Sequence, residues 1–151
     1  MKTDILKTHL LTGLIAALLS LGSPLALSAA ENNHHQRLQE LEKIHSTERS
    51  AEQRLELAQH YYRARKLEPA YQQADLFLQQ KPRSVDGWLI IGDIWREWGQ
   101  WQQALEAYDQ AARLSPQRAA IHLRRGQALS ELGDEKAADK AYAQYRALAG
   151  V

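Results

Sequence analysis

Between residues 51 and 150, apolar side chains recur at steps of three and four, the spacing that lines one face of an α-helix. Trp88, Ile91, Gly92 and Trp95 share one such face, and Ala104, Leu105, Tyr108, Ala111 and Ala112 share another. Breaks fall between these runs. Gly99 lies where a helix should stop, because glycine accepts the left-handed conformation without a Cβ penalty. Pro82 and Pro116 close the runs that precede them, and Pro69 suits the first turn of a helix, where its missing N–H costs nothing. Ser50 followed by Gln53 has the spacing of a capping box that opens a helix at 51. The pattern predicts short helices joined by tight turns.

A longer period is superimposed on the helical one. Pro82 and Pro116 are 34 residues apart, as are Gly99 and Gly133, and Tyr108 and Tyr142. Ala70, Ala104 and Ala138 share the interval, as do Leu55, Leu89 and Leu123, and Tyr61, Trp95 and Leu129. Gly92 and Gly126 follow it too, with Ala58 one period earlier. Each period therefore predicts a helix, a turn and an antiparallel helix. Small residues let the paired helices approach, so Gly92 with Ala104, and Gly126 with Ala138, are expected to let each pair close, with aromatic residues one turn away filling the flanking volume. A leucine in place of Ala104 should cost about 1–3 kcal/mol by overpacking.

The run Trp88-x2-Ile91-Gly92-x2-Trp95, followed by Ala104-x3-Tyr108, Ala111 and Pro116, resembles the tetratricopeptide repeat family. The resemblance implies an all-α, right-handed α-solenoid of three repeats, at 51–84, 85–118 and 119–151. The first repeat keeps Leu57, Ala58, Tyr61, Ala70, Phe77 and Pro82 but has Ala74 where an aromatic is usual. The third keeps Gly126, Leu129, Gly133, Ala138 and Tyr142 and departs at His122 and Arg125, where large apolar residues are usual. Leu38, Leu41 and Ile44, spaced by three, predict a helix within 31–50 that caps the first repeat. After the third repeat, Asp139, Lys140 and Arg146 favour a solvated last helix, while Tyr142, Tyr145 and Leu148 favour contact; self-association there is the alternative reading.

Residues 1–30 read as a signal peptide. Lys2 and Lys7 precede the apolar run Leu10–Leu21, Gly22 to Pro24 interrupts it, and Ser28-Ala29-Ala30 supplies small residues before Glu31. Cleavage after Ala30 is the expectation; an uncleaved anchor helix over Leu10–Leu27 is the alternative. A periplasmic protein without membrane insertion follows. The whole chain has 151 residues, 19 basic and 18 acidic, and no cysteine. Loss of Lys2, Lys7 and Asp4 with the leader leaves 17 of each sign, so no positive field exists to hold nucleic acid. The missing cysteines exclude disulfides, a thiol nucleophile and thiolate metal sites.

Catalytic constellations are not evident. The glycines sit at repeat positions rather than in a phosphate loop, and no His-Glu-x-x-His pair or nucleophile elbow occurs. His34-His35 lacks a third ligand, so neither metal nor cofactor is expected. His60 and His122 fall within helices, where packing or a surface position is the ordinary role.

The resemblance places the inner groove on the fifth, ninth and twelfth residues of each repeat. These are Leu55, Gln59 and Tyr62; Leu89, Asp93 and Arg96; Leu123, Gln127 and Ser130. Three leucines in register suggest an apolar strip for a helix or extended peptide, unless they pack between neighbouring first helices. Asp93, Arg96 and Glu97 would orient the ligand. The groove lacks the Lys and Asn residues with which some members clamp a terminal carboxylate. Trp98, at a usually polar position before Gly99, is either an exposed binding anchor or packed against the turn or the adjacent repeat. The resemblance implies a non-catalytic adaptor or assembly factor for another envelope protein, in a setting such as cytochrome c maturation, pilus or secretion machinery, or outer-membrane assembly.

Overall fold

The computed structural model describes residues 24–151, with the backbone alone for 24–31 and His34. The apolar run Leu10–Leu21 lies outside the described residues. Among the described residues no helix is long and apolar enough to cross a membrane. The chain divides after Lys43 into two units. The described part of the first contains α1 (Pro24–Lys43). Pro24 occupies its first position, and the helix runs on through Ala30 and Glu31, the expected cleavage point.

The second unit, Ile44–Val151, holds three helix pairs. They are α2 (Ala51–Arg63) with α3 (Leu67–Gln80), α4 (Val85–Glu97) with α5 (Trp101–Leu114), and α6 (Ala119–Glu131) with α7 (Glu135–Ala149). The first helices start at 51, 85 and 119, a shift of 34 residues each time. Besides the partners within each pair, α3 packs on α4, α5 on α6, and α2 on α4. The all-α expectation and the helix–turn–helix pairing both hold.

Local chemistry explains where the helices start and stop. The Ser50–Gln53 capping box forms: the Gln53 amide donates to Ser50 Oγ at 3.2 Å, and the Ser50 amide donates to Gln53 Oε1 at 2.9 Å. Ser84 Oγ accepts from the Gly87 amide at 3.2 Å, and Asp134 Oδ1 from the Ala137 amide at 3.0 Å. Each of these bonds satisfies one of the donors a helix leaves open at its N-terminus. The three intra-pair turns share one geometry. Lys66, Gln100 and Asp134 donate their amides to the carbonyls of Tyr61, Trp95 and Leu129 at 2.9–3.0 Å. The residue before each donor has positive φ: Gly99 at 71° and Gly133 at 80°, but Arg65 at 60° in the first pair. Arg65 thus adopts a conformation that a Cβ disfavours.

Two buried clusters join consecutive pairs. The first collects Ala58, Ala74, Phe77, Leu78, Ile90, Ile94 and Ala107 from the first two pairs. The second collects Leu89, Ala104, Tyr108, Ala111, Ile121 and Ala128 from the second and third. Within the pairs, two glycines meet an aromatic ring of the partner helix. A Cβ on Gly92 would lie 2.4 Å from Tyr108 Cε1, and one on Gly126 would lie 2.5 Å from Tyr142 Cε1. Each glycine admits the tyrosine ring of the partner helix, and Ala104 and Ala138, one turn from those rings, are fully buried. Tyr142 therefore turns inward, whereas Leu148 and Val151 are exposed.

Candidate functional site

The groove positions fall on α2, α4 and α6 but do not form one apolar strip. Leu55 and Leu123 are half-buried, while Leu89 is only 6% exposed and belongs to the core with Tyr108 and Ile121. The middle rung of the expected leucine ladder is thus withdrawn from solvent, the packed alternative that the sequence left open. Gln59, Gln127 and Ser130 are half-buried, and Ser130 Oγ donates to Glu135 Oε1 at 3.2 Å.

The remaining groove residues are tied to one another by charge. Asp93 accepts from the Tyr108 hydroxyl at 2.8 Å, and its two oxygens take Nε and Nη2 of Arg124 at 2.8 and 3.2 Å. One turn along α4, Arg96 donates to the Tyr62 hydroxyl at 3.2 Å and to Glu97 at 3.3 Å. Tyr62 in turn donates to Glu97 Oε1 at 3.4 Å, and Arg65 pairs with Glu97 Oε2 at 2.8 Å. The network spans α2, α4, α5 and α6. Two-point binding of a guanidinium by Asp93 fixes the relative register of α4 and α6.

Proton affinities follow this arrangement. Burial, then the Asp93 charge, pushes the Tyr108 phenol far above its ordinary value. Burial also raises Tyr62, against the opposing hydrogen bond from Arg96. The Arg124 guanidinium is raised first by its bond to Asp93. At Arg96, burial acts downward, but the Tyr62 hydroxyl and the nearby Asp93 charge outweigh it and the group is raised. Both guanidiniums stay charged, and both tyrosines stay neutral hydrogen-bonding groups.

The open part of the groove lies at the first pair. Leu55 and Gln59 line a cleft of about 660 Å³ together with Phe77, Pro82, Glu52 and Glu56. Lys81 and Glu52 face each other across it at 3.9 Å. Its rim carries both signs, Glu52 and Glu56 against Lys81 and Arg83, and its floor is apolar.

Trp98 is half-buried rather than exposed. Its ring centroid lies 5.0 Å from that of Trp95 and 5.5 Å from that of Tyr71 on α3, and Tyr71 meets Trp95 edge-on at 5.2 Å. The packed reading of Trp98 is the observed one. The sequence offered no sign of the roles of Arg124 and Tyr108, which lie 31 and 15 residues from Asp93 along the chain. His35 is exposed on α1.

Comparison with known proteins fits this geometry. A family profile described as TPR repeat matches residues 92–133. No curated protein matches the sequence significantly. Among solved structures, a crystal structure of MamA superposes with a TM-score of 0.73 at 16% identity, over 83% of this chain and 74% of that one. A second MamA crystal structure gives 0.69 at 17% identity, over 82% and 76%. The Yersinia enterocolitica type III secretion chaperone SycD, in complex with a peptide of the translocator YopD, gives 0.63 at 20% identity, over 64% and 74%. The chain therefore has the fold of a tetratricopeptide-like helical repeat array.

Proposed function

We propose that this protein is a non-catalytic adaptor that binds a peptide segment of another polypeptide in the cleft at its first helix pair. The observation that carries this reading is the cleft itself: two of the nine groove positions, Leu55 and Gln59, open onto about 660 Å³ of space with an apolar floor. A side chain such as Leu or Phe, inserted against Leu55, Phe77 and Pro82, would bury apolar surface worth about 25 cal/mol per Å². Glu52 and Lys81, only 3.9 Å apart, would part to meet the charged flanks of the ligand. That SycD, of the same fold, was crystallised with a peptide of the translocator YopD supports the assignment. The Asp93–Arg124 and Arg96–Tyr62 links do not line the cleft; their role is to hold the helices in register.

The test is a photo-crosslinking amino acid placed at Gln59 in the cleft, or at exposed Gln72 on α3. Capture of one polypeptide from Gln59 but not Gln72, lost in Leu55→Glu with helicity unchanged, supports the reading. Equal capture from both positions, or capture that survives Leu55→Glu, refutes it. The leader pattern of residues 1–30 supports export to the periplasm and a partner of the cell envelope. Amino-terminal sequencing of protein from its host tests the cleavage: a chain beginning at Glu31 supports it, and one beginning at Met1 overturns it.

A further inference from the structure

Two grooves between second helices are copies of one another, one repeat apart. The first, about 360 Å³, lies between α3 and α5 and is walled by Tyr71, Asp75, Trp88, Trp95 and Glu106. The second, about 260 Å³, lies between α5 and α7 and is walled by Leu105, Asp109, Arg125, Leu129 and Lys140. A shift of 34 residues carries Tyr71 onto Leu105, Asp75 onto Asp109, Trp95 onto Leu129 and Glu106 onto Lys140. It also carries Ile91 onto Arg125.

In the second groove the chain supplies its own cation. Arg125 Nε lies 2.6 Å from Asp109 Oδ1, and Lys140 stands on the same wall. In the first groove the residue at the arginine's place is a buried isoleucine. Asp75 there takes only the Gln79 side-chain amide, at 2.8 Å, and Glu106 only the Gln102 amide, at 3.4 Å. Among the described residues neither carboxylate is in an ion pair, and no Lys or Arg lines this groove. The walls differ in the complementary way. Where the second groove has leucines at 105 and 129, the first has Tyr71 and Trp95, whose faces attract a planar cation.

We infer that the α3–α5 groove receives an arginine side chain from a partner polypeptide, in the position that Arg125 fills one repeat later. The guanidinium would lie against Tyr71 and Trp95 and donate to Asp75, with Glu106 balancing its charge. This face is separate from the cleft at Leu55. Trp88, Ile91 and Trp95 lie roughly 130° around α4 from Leu89, Asp93 and Arg96, at about 100° per residue. Both surfaces can be occupied together.

The experiment uses the full chain and a blocked tetra-arginine peptide, followed by the indole N–H resonances of Trp95 and Trp98. A saturable shift with this peptide is expected, absent with the tetra-citrulline peptide, which keeps the shape and loses the charge. Asp75→Asn with Glu106→Gln, both outside the core, should weaken the binding at least tenfold. Leu55→Glu should leave it unchanged, which separates this site from the cleft. Ile91→Arg, where it folds, should supply the guanidinium internally and exclude the peptide. No saturable shift in the wild type, equal binding of the citrulline peptide, or undiminished binding by the double variant overturns the inference. So does sedimentation showing that a second copy of the chain fills the groove and leaves it in the double variant.

Discussion

Gly92 and Tyr108 should behave as one unit. A methyl group at 92 would sit 2.4 Å from Tyr108 Cε1 and 2.6 Å from Cδ1, inside any tolerable contact. The ring cannot swing away, because it is fully buried and its hydroxyl is held by Asp93 at 2.8 Å. Overpacking of this kind costs about 1–3 kcal/mol, while Ala gains up to about 1 kcal/mol over Gly in a helix interior. The net expectation for Gly92→Ala is a loss of about 1–2 kcal/mol. Tyr108→Ala alone should cost about 3–5 kcal/mol, the range for emptying an aromatic site. In that background the Cβ at 92 meets open space, so Gly92→Ala should now stabilise by up to about 1 kcal/mol. The first helix pair already holds this double replacement, with Ala58 and Ala74 at the equivalent positions, both fully buried. Urea unfolding followed by helical circular dichroism measures all four chains. A coupling of about 1–3 kcal/mol between the sites is expected. Additivity within about 0.5 kcal/mol would show that the glycine does not exist to admit the ring.

Other consequences follow from the turns and the network. Arg65 stands at φ 60° where the other pairs have glycine. Arg65→Gly should raise stability by about 1 kcal/mol, because the Arg65 side chain is 70% exposed and Glu97 keeps Arg96 as a partner when it is lost; Arg65→Ala, which keeps the strain, should not. Asp93→Asn keeps an acceptor for Tyr108 but removes the charge that Arg124 faces. A loss of about 1–3 kcal/mol in urea unfolding is expected, relieved when Arg124 is replaced by Met. The Tyr108 phenol titrates above its ordinary value when folded, through burial first and Asp93 second. Its contribution is therefore complete below the unfolded tyrosine value of about 10 and is lost as pH rises beyond it. Tyr108→Phe should flatten the decline in unfolding free energy above pH 10 by at most about 1.4 kcal/mol per pH unit, and an unchanged slope would count against the assignment.

The fold was legible because its signals are local. A glycine or proline at a helix end, a Ser-x-x-Gln cap and a 34-residue echo each act within a few residues or repeat themselves, and helices form where those signals say. The groove was less legible, because exposure depends on neighbours. Leu55, Leu89 and Leu123 are identical in type and phase, yet Leu89 alone has a complete pair on either side and is buried between them. The charged positions tell the same story. Asp93 was recognisable as a groove residue, but Arg124 and Tyr108 reach it from another repeat and from the partner helix. No spacing rule within one helix predicts such a meeting.

The departures from the repeat pattern carry information once the conserved quantity is known. Trp88, Arg54 and His122 occupy the same place in their repeats and share neither size nor charge. Each nevertheless directs a ring or guanidinium nitrogen at a carbonyl in the loop before its helix. Trp88 Nε1 donates to Pro82 O at 2.9 Å, His122 Nε2 meets Pro116 O at 2.7 Å, and Arg54 Nη2 donates to Ser46 O at 2.5 Å. These carbonyls belong to exposed loop residues, so each bond is worth about 0.5–1.5 kcal/mol net and ties the loop to the helix that follows. What repeats at this position is therefore an N–H at a fixed reach, not a large apolar surface. His122 looked like a fault in the third repeat because the sequence displays residue types, whereas the structure selects for the bond. The same logic underlies the exchange of Ile91 for Arg125. A repeat can replace a packing residue with a charged one when the partner helix supplies the counter-ion, as Asp109 does. One repeat earlier the carboxylate remains as Asp75 while Ile91 stands in the arginine's place, and the Gln79 side-chain amide donates to Asp75 at 2.8 Å instead.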